Sequence, residues 1–251
     1  MPARLKRIVI IGATSAIAEH CARLWLANAP ADITLVGRNR ARTERVATDL
    51  RVRSSDSLLR VLTADFNDPQ AIRQLVDGIV AEQTVDTVLI AHGSLPDQQN
   101  CQSDLQACTE ALMVNGVSPV LFAEAFAGHM EQANHGTLAI IGSVAGDRGR
   151  KSNYAYGAAK GLITRYAEGL QHRLVKTAVK VVLIKPGPTD TPMTAHLKQQ
   201  GGKFSDVADV ARVIVDGIAK NKALVYAPGK WALIMLVIRS LPNFVFNKMD
   251  I

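Results

Sequence analysis

Seven short apolar runs rich in β-branched residues recur along this chain, and stretches with helical periodicity separate them. Alternation of this kind is typical of a parallel sheet, because the crossover helices cover both of its faces. With 251 residues, 48% of them hydrophobic, the chain can bury one large core. The pattern predicts a doubly wound α/β domain over residues 1–230, with a seven-stranded parallel sheet whose strands lie near 7–11, 32–36, 59–63, 86–91, 137–142, 180–185 and 223–227.

The first apolar run ends in a turn of small residues. Residues 12–18 read Gly-Ala-Thr-Ser-Ala-Ile-Ala, and an amphipathic stretch follows to Asn28. Small residues in such a turn let backbone amides and the positive end of the helix hold a pyrophosphate. An ordinary buried turn between strand and helix is the alternative. The residues of the turn that we predict to contact a dinucleotide are Gly12, Thr14, Ser15, Ala16 and Ile17.

The second apolar run ends in a basic segment. Residues 37–40 read Gly-Arg-Asn-Arg and contain no acidic residue. An acid at this place binds the ribose hydroxyls of NAD, whereas an arginine suits the extra phosphate of NADP through charge-assisted hydrogen bonds. Arg38 therefore predicts NADP(H) in preference to NAD(H). The alternative is a solvated basic loop, since Arg42 and Arg45 follow closely.

Tyr156 and Lys160 are four residues apart, a spacing that places phenol and ammonium side by side on a helix. A cation favours the phenolate and so lowers the tyrosine pKa from about 10, which would allow proton exchange near neutral pH. Ser143 follows the run 137–142, where the end of a strand would expose its hydroxyl at the rim of the sheet. These three groups are predicted to converge on one carbonyl oxygen, although a tyrosine and a lysine at this spacing are also common on solvated helices.

Together these motifs resemble the short-chain dehydrogenase/reductase family, in one register from Arg7 to Met193. The resemblance implies a Rossmann-type fold and hydride transfer between a nicotinamide and a carbonyl or secondary alcohol. It also implies that Ser143 and Tyr156 bind the substrate oxygen and that Tyr156 donates the proton. Lys160 would lower the tyrosine pKa and hold the nicotinamide ribose.

Further positions carry the same resemblance. Asn115 matches the asparagine that holds a water in the family's proton relay, and Asp65 matches the acid beside the adenine. Residues 186–191, Pro-Gly-Pro-Thr-Asp-Thr, are similar to the segment that holds the nicotinamide carboxamide. The residues after Thr191, as far as Phe204, would close over the substrate. The resemblance thus makes Asn115, Ser143, Tyr156 and Lys160 catalytic, and extends the cofactor contacts to Arg38, Asp65, Ala91, His92, Gly93, Tyr156, Lys160, Pro186, Gly187, Thr189 and Thr191.

Two stretches depart from the family pattern. Ala16 and Ala18 stand where glycine is usual, and the methyl group of Ala16 is expected to crowd the pyrophosphate. Residues 90–93, Ile-Ala-His-Gly, replace the family's Asn-Asn-Ala-Gly and put His92 beside the expected nicotinamide ribose. His92 could contact cofactor or substrate, or it could be only a hydrogen-bonded polar residue at the end of a strand.

Composition narrows the range of partners. The net charge of +7 and pI near 9.5 suit an anionic partner, but the basic residues are dispersed and only 5% of the chain is aromatic, so we expect no nucleic acid. Cys21, Cys101 and Cys108 form no disulfide framework, which indicates a reduced cytoplasmic setting. The six histidines are scattered, and no metal site is expected. No signal-type segment opens the sequence, so export is not expected.

Two helical patterns and the carboxyl-terminal tail concern assembly. The pattern near 103–130 and the helix of Tyr156 would pair with their symmetry mates in a homodimer or homotetramer, as in the family.

Within the tail 231–251, residues 231–238 are all apolar, and this run is too short to span a bilayer. The tail could lie on the inner face of the membrane, pack on its own domain or contact a second subunit.

Residues 193–198 and 223–228, with the ending through Arg239, Pro242 and Phe246, give a narrower resemblance, to the short-chain reductases of cell-envelope arabinose synthesis. It implies a lipid-linked keto sugar as substrate, and a small-molecule ketone is the more general expectation. The function predicted is therefore that of an NADP(H)-dependent oxidoreductase. The alternatives are a reductase of another apolar ketone, an NADP-binding regulatory or partner subunit without turnover, or a membrane-bound scaffold.

Overall fold

The structure is a computed structural model, and it describes residues 4–199 and 201–249 apart from the side chain of His196. Within them the sheet has seven parallel strands. Each predicted run agrees with its strand to within one residue at either end, and the predicted fold class is confirmed. The strands are β1 (Lys6–Ile11), β2 (Ala31–Gly37), β3 (Leu58–Thr63), β4 (Thr87–Ile90), β5 (Thr137–Ile141), β6 (Lys180–Pro186) and β7 (Leu224–Ala227).

Helices cover both faces of the sheet. The helices in the described residues are α1 (Ala16–Asn28), α2 (Arg40–Arg53), α3 (Pro69–Glu82), α4 (Gln98–Ser103), α5 (Leu105–Leu112), α6 (Ser118–Ala133), α7 (Tyr154–Arg173), α8 (Ala195–Gln199), α9 (Val207–Ala219), α10 (Lys230–Ser240) and α11 (Asn243–Phe246). One core lies under α1, α2 and α9, and a second lies under α3, α6 and α7. The central strands are buried on both faces, as their nearly continuous apolar sequences require, whereas the edge strands β3 and β7 are partly exposed.

The strand order is β3-β2-β1-β4-β5-β6-β7. The chain adds β2 and β3 on one side of β1 and then adds β4 to β7 on the other side. The order of the strands therefore reverses between β1 and β4. In an open parallel sheet, the loops on either side of such a switch separate and leave a crevice at the carboxyl ends of the strands. The fold thus places a binding crevice next to the turn that follows Ile11.

The helical pattern predicted near 103–130 begins later than expected and contains an irregular turn. α4 ends at Ser103, and between α5 and α6 residues Met113–Val117 form a π-helical turn. Pro119 explains this turn, because proline has no N–H to donate to the carbonyl four residues earlier. The N–H of Ser118 bonds instead to the carbonyl of Met113, five residues back. This turn carries Asn115.

The segment Leu105–Ala133 is also long and apolar enough to cross a membrane by length and composition, with a mean hydropathy of 1.4. However, 61% of its most apolar window is buried inside the protein. Its apolar residues therefore serve the core between α3 and α7.

The tail packs on its own domain over the described part of its length. The indole of Trp231 covers Gly187 so closely that a Cβ there would lie 2.0 Å from its Nε1, and Met235 is fully buried. Arg148 donates hydrogen bonds to the carbonyls of Ile238 and Leu241. The opposite face of α10 stays in solvent, with Leu233, Leu236 and Val237 exposed.

Candidate active site

A pocket of about 920 Å³ opens at the carboxyl ends of the central strands. It runs from the basic segment after β2, past the turn after β1, to the loops that follow β5 and β6. Most of the residues predicted for the site lie in its wall, whereas Asp65 and Asn115 do not. The predicted residues in the wall are Gly12, Thr14, Ser15, Ala16, Ile17, Arg38, Ala91, His92, Gly93, Ser143, Tyr156, Lys160, Pro186, Gly187, Thr189 and Thr191.

The turn after β1 suits a pyrophosphate. Gly12 has a φ of 82°, and a Cβ there would lie 2.6 Å from the backbone nitrogen of His92, so only glycine fits. Ser15 precedes α1 and makes no side-chain cap. The first amides of α1 therefore face the pocket without intrahelical partners, the arrangement that binds anions at helix starts.

The two alanines that depart from the family pattern have different surroundings. Ala18 is fully buried in the core and points away from the pocket, so its methyl group cannot crowd a ligand. Ala16 does line the pocket and is partly exposed. Only Ala16 therefore bears on how a pyrophosphate approaches the turn.

The basic end of the pocket is formed by Arg38 and Arg42. Arg38 is exposed directly after β2, and Asn39 starts α2 by accepting a hydrogen bond from the backbone N–H of Arg42. No aspartate or glutamate stands among the described residues that line the pocket. Two arginines without a neighbouring acid can hold an anionic group at this end of the pocket. Arg42 was not predicted as a site residue, because the sequence shows it only as part of a basic segment that could equally be solvated.

Ser143 and Tyr156 meet at the other end of the pocket. The Ser143 hydroxyl accepts a hydrogen bond of 3.1 Å from the backbone N–H of Ala145 and is hydrogen-bonded to the Tyr156 phenol. Gly157 allows this meeting, because a Cβ there would lie 2.9 Å from the carbonyl oxygen of Ala145. Sequence spacing alone had already predicted that serine and tyrosine converge.

Lys160 is buried one helical turn after Tyr156. Its Nζ donates a 3.1 Å hydrogen bond to the carbonyl of Ile141 and lies 5.7 Å from the centroid of the Tyr156 ring. Burial lowers the pKa of Lys160 to about 8 and raises the pKa of Tyr156 to about 12, which the hydrogen bond from Ser143 only partly opposes.

The expected lowering of the Tyr156 pKa by Lys160 is therefore not seen in the protein alone. The ammonium is directed at the Ile141 carbonyl, and desolvation of the phenolate is the larger effect. A protonated phenol near neutral pH suits a group that donates a proton to a carbonyl.

Asn115 is fully buried in the π-helical turn, behind the pocket wall. Its Oδ1 accepts a 2.8 Å hydrogen bond from the backbone N–H of Ser94, and its Nδ2 donates to the Ala111 carbonyl at 2.9 Å. A Cβ added to Gly93 would lie 2.9 Å from this Oδ1 and 3.6 Å from Lys160 Nζ. Asn115 and Lys160 thus flank the same glycine, and the predicted proton relay stays a prediction.

His92 is held by packing and a hydrogen bond. Its Nε2 lies 2.9 Å from Ser118 Oγ, and Phe66 and Phe122 contact the ring edge to face. Desolvation lowers the pKa of His92 to about 3, with help from the charges of Lys160 and Arg38. The imidazole is therefore neutral at physiological pH, and its placement agrees with the alternative that it is a hydrogen-bonded residue at the strand end.

Three other predicted cofactor residues make contacts within the protein. Asp65 is exposed and accepts a 2.8 Å hydrogen bond from the backbone N–H of Asn67, a residue of the pocket wall. The Thr189 hydroxyl donates to the Gly187 carbonyl, and the Thr191 hydroxyl lies 3.3 Å from that of Thr194. Their contacts with adenine and carboxamide stay predictions.

The segment predicted to close over the substrate is a loop with a fixed base. A β-bridge between Thr189 and Ser205 ties its ends. Between them lie a 3-10 turn and α8, and Gly201 has a φ of 90°. Met193 and Leu197 line the pocket and are exposed, so this loop supplies an apolar wall beside the reacting groups.

Sequence analysis missed Arg150 and Ser118 as residues of the pocket wall. Ser118 lies three residues after Asn115, a helical spacing that would have placed it on the same side. Arg150 stands in the loop between Ser143 and Tyr156 and is not part of any motif. Among the described residues, no group of three or more His, Cys, Asp or Glu side chains could hold a metal.

The buried ammonium of Lys160 gives a testable pH effect. Its pKa is about 8 in the folded chain and has the ordinary value of 10.5 when unfolded, so between these values only the unfolded chain holds the proton. Stability must then rise with pH in this window. From about pH 8 to about pH 10, the free energy of unfolding of the wild type should rise by about 2 kcal/mol relative to Lys160→Met.

Urea denaturation across the pH range measures this difference. Lys176→Met, which removes an exposed lysine, is the control. Parallel curves for the wild type and Lys160→Met would show that Lys160 is not desolvated.

Curated proteins that are similar to this chain over nearly its whole length are named oxidoreductases. The family model for short chain dehydrogenases matches residues 6–202. An uncharacterized oxidoreductase of Mycobacterium tuberculosis is 31% identical over 96% of both chains, and one of Streptomyces coelicolor is 27% identical over 97% of this chain and 96% of its own.

Among solved structures, a short-chain dehydrogenase from Sphingobium yanoikuyae in complex with NADPH superposes with a TM-score of 0.82 at 20% identity, covering 97% of this chain and 96% of its own. A bulky-bulky ketone specific alcohol dehydrogenase from Comamonas testosteroni has a TM-score of 0.80 at 19% identity, over 99% and 96%. At these identities the superpositions show a common fold. The family match and the relative from Mycobacterium tuberculosis establish that this chain belongs to the short-chain dehydrogenase family and is an oxidoreductase that acts on CH–OH or C=O groups with a nicotinamide cofactor.

Proposed function

We propose that the protein is an NADP(H)-dependent reductase of a ketone, which also runs in reverse on the secondary alcohol. The observation that carries this is the presence of Ser143, Tyr156 and Lys160 in the wall of the same pocket as Arg38 and the turn after β1. The lipid-linked keto sugar implied by the narrower resemblance is one member of this substrate class. None of the similar proteins described above is named for a lipid-linked substrate.

In this proposal the cofactor, when bound, supplies the hydride. The amides of the turn and the start of α1 hold its pyrophosphate, and Arg38 with Arg42 holds the extra phosphate. Lys160 lies where it can hold the nicotinamide ribose. These contacts fix the cofactor on one side of the pocket and leave the space beside Met193 for the ketone.

Ser143 and Tyr156 act on the substrate. Both hydroxyls donate hydrogen bonds to the carbonyl oxygen, which stabilises the negative charge that develops there. Tyr156 then transfers its proton from Oη to that oxygen, and its pKa of about 12 keeps the proton available near neutral pH. We also propose that Lys160 and Asn115 return a proton to Tyr156 after the transfer.

Substitution of Tyr156 separates an enzyme from a cofactor-binding regulator. Tyr156→Phe removes the proton donor and keeps the ring, so we expect turnover to fall by about 100-fold or more while NADPH still binds. The matched control is Tyr154→Phe, two residues earlier in α7 and exposed. NADPH oxidation with a panel of ketones measures turnover. An equal rate in Tyr156→Phe and the wild type would favour a subunit that binds NADP without turnover.

Arg38 sets the proposed preference for NADP(H). In Arg38→Ala the affinity for NADPH should fall about 10-fold or more and the affinity for NADH should change little, because only NADPH carries the phosphate. Titration followed by nicotinamide fluorescence measures both. Arg51→Ala, in the last turn of α2, is the control. Equal affinity of the wild type for the two cofactors would rule out the preference.

For its assembly we propose a homodimer or homotetramer built through α5, α6 and α7. Leu105, Leu112 and Leu162 support this, because all three are apolar side chains exposed on these helices. Pairing with a second copy would remove them from water.

We also propose that the exposed face of α10 rests on a membrane surface, at the inner face of a cytoplasmic membrane. Leu233 and Val237 are one helical turn apart on this face, and Phe244 in α11 is 72% exposed. Arg239 and Lys230, at the two ends of α10, lie where they can meet anionic head groups.

The membrane contact can be tested by substitutions in α10, without deletion of the tail. Deleting the tail would remove the contact of Trp231 with Gly187 and the buried side chain of Met235, whereas Leu233 and Val237 are exposed and can be changed without loss of these contacts. Replacing both with glutamate should abolish sedimentation with anionic vesicles, and Val52→Glu, exposed on α2, should sediment like the wild type. Equal sedimentation of the wild type and the Leu233→Glu, Val237→Glu variant would exclude α10 as the contact.

A further inference from the structure

Arg150 lies in the pocket wall without a charged partner. It belongs to the loop that joins Ser143 to Tyr156, so it stands at the substrate end of the pocket. Its Nε is buried and has no hydrogen-bond partner. Its Nη2 reaches only the sulfur of Met235, at 3.8 Å, and sulfur is a weak acceptor. Among the described residues, no carboxylate forms an ion pair with it.

The acidic residue whose charge acts on Arg150 is already neutralised. Asp147 accepts a hydrogen bond from Lys185 on Oδ1, and Tyr226 donates to its Oδ2 at 2.7 Å. The side chains of Lys185 and Asp147 are only 3% and 2% exposed, so this is a buried ion pair that is complete without Arg150. Burial lowers the pKa of Arg150, and Asp147 opposes this only in part. The charge of Asp147 is therefore not available to compensate that of Arg150.

The charge of the whole pocket has the same sign. Among the described residues of its wall stand five cationic side chains and no carboxylate, the cations being Arg38, Arg42, Arg150, Lys160 and Lys203. Arg38 and Arg42 follow β2, whereas Arg150 follows β5, three strand positions away in the sheet. At about 4.8 Å per strand, these ends lie roughly 14 Å apart. One anion at the Arg38 end therefore leaves Arg150 unpaired.

A partly buried cation without a partner costs stability, because it has lost part of its hydration and gained no opposite charge. A ligand that brings a carboxylate or a phosphate to Arg150 would restore that interaction. Both groups match the planar guanidinium in two parallel hydrogen bonds, which fixes their orientation as well as their affinity.

We propose that Arg150 binds an anionic group of the substrate and so selects ketones, or the corresponding secondary alcohols, that carry a carboxylate or a phosphate. This inference rests on the proposed reductase function and names the substrate class for it. The anion held by Arg150 orients the carbonyl toward Ser143 and Tyr156. The exposed Lys203, in the loop after α8, adds positive charge at the pocket entrance.

The first test compares pairs of ketones that differ in charge. Acetoacetate is paired with its ethyl ester, and dihydroxyacetone phosphate with dihydroxyacetone, so that the two pairs distinguish a carboxylate from a phosphate. The measured quantity is the ratio of kcat/KM for the charged member to that for the neutral member. In Arg150→Met the ratio for the preferred pair should fall by about 10- to 100-fold. Arg165→Met, which removes an exposed arginine of α7, should leave the ratio at the wild-type value.

Arg150→Lys is the conservative variant. It keeps the charge without the planar fork and should recover part of the ratio. A loss of activity on both members of each pair by the same factor would show that Arg150 only supports the loop, and would overturn the proposal. A wild-type ratio near 1 in both pairs would overturn it as well.

A binding measurement keeps the proposal separate from the reductase function. Inorganic phosphate is titrated calorimetrically into the wild type and Arg150→Met, both saturated with NADPH so that the Arg38 end is filled. We expect the wild type to bind phosphate at least 10-fold more tightly than Arg150→Met. Equal binding, or none in the wild type, would refute the anion site. If phosphate binding depends on Arg150 but no ketone is reduced, the reductase function fails and the site stands.

Discussion

The parallel arrangement of the strands is the constraint on which the site depends. All seven strands end at the same edge of the sheet, so residues from distant parts of the sequence reach one crevice there. Arg38 follows β2, Ser143 follows β5 and Thr191 follows β6. More than a hundred residues of chain separate Arg38 from Ser143, and almost fifty more separate Ser143 from Thr191. No local interaction could bring them together. The buried apolar strands supply the stability that holds this edge, and the loops at the edge supply the chemistry.

Close backbone approaches fix the geometry at that edge. Gly12 touches the backbone of His92, and Gly146 approaches the carbonyl of Lys160 so closely that a Cβ there would lie 2.7 Å from its oxygen. With Gly157 against Ala145, these contacts hold α7 close to the ends of β4 and β5. The result is a desolvated cluster in which the pKa of Lys160 falls and the pKa of Tyr156 rises. Burial, more than the attraction between the two groups, determines their protonation states in the protein alone.

Sequence analysis predicted the strands and the main site residues because both depend on local patterns. Continuous β-branched runs marked the strands, and the spacing of Tyr156 and Lys160 needs only one helix. The predictions failed where the local structure depends on residues elsewhere in the chain. The π-helical turn at Asn115 packs against α7, which begins almost forty residues later in the chain, and the start of α5 was placed too early.

The charge of the pocket was also beyond the sequence analysis. Nothing near Arg150 in the sequence indicates that Asp147 is neutralised by Lys185, which lies 38 residues further on. Likewise, the partner of the Lys160 ammonium is the carbonyl of Ile141, on a different element. Such pairings come from tertiary contacts, so only the structure could show which cation remains free to bind a ligand.

The central claim is that hydride passes between the nicotinamide and a substrate carbon in this pocket. The most direct measurement follows the deuterium of NADPH labelled at C4, in separate experiments with each face labelled, by mass spectrometry and NMR of the alcohol product. The account predicts one deuterium on the carbinol carbon for each NADPH oxidised, from one face only. Product that carries no deuterium from either face would contradict it.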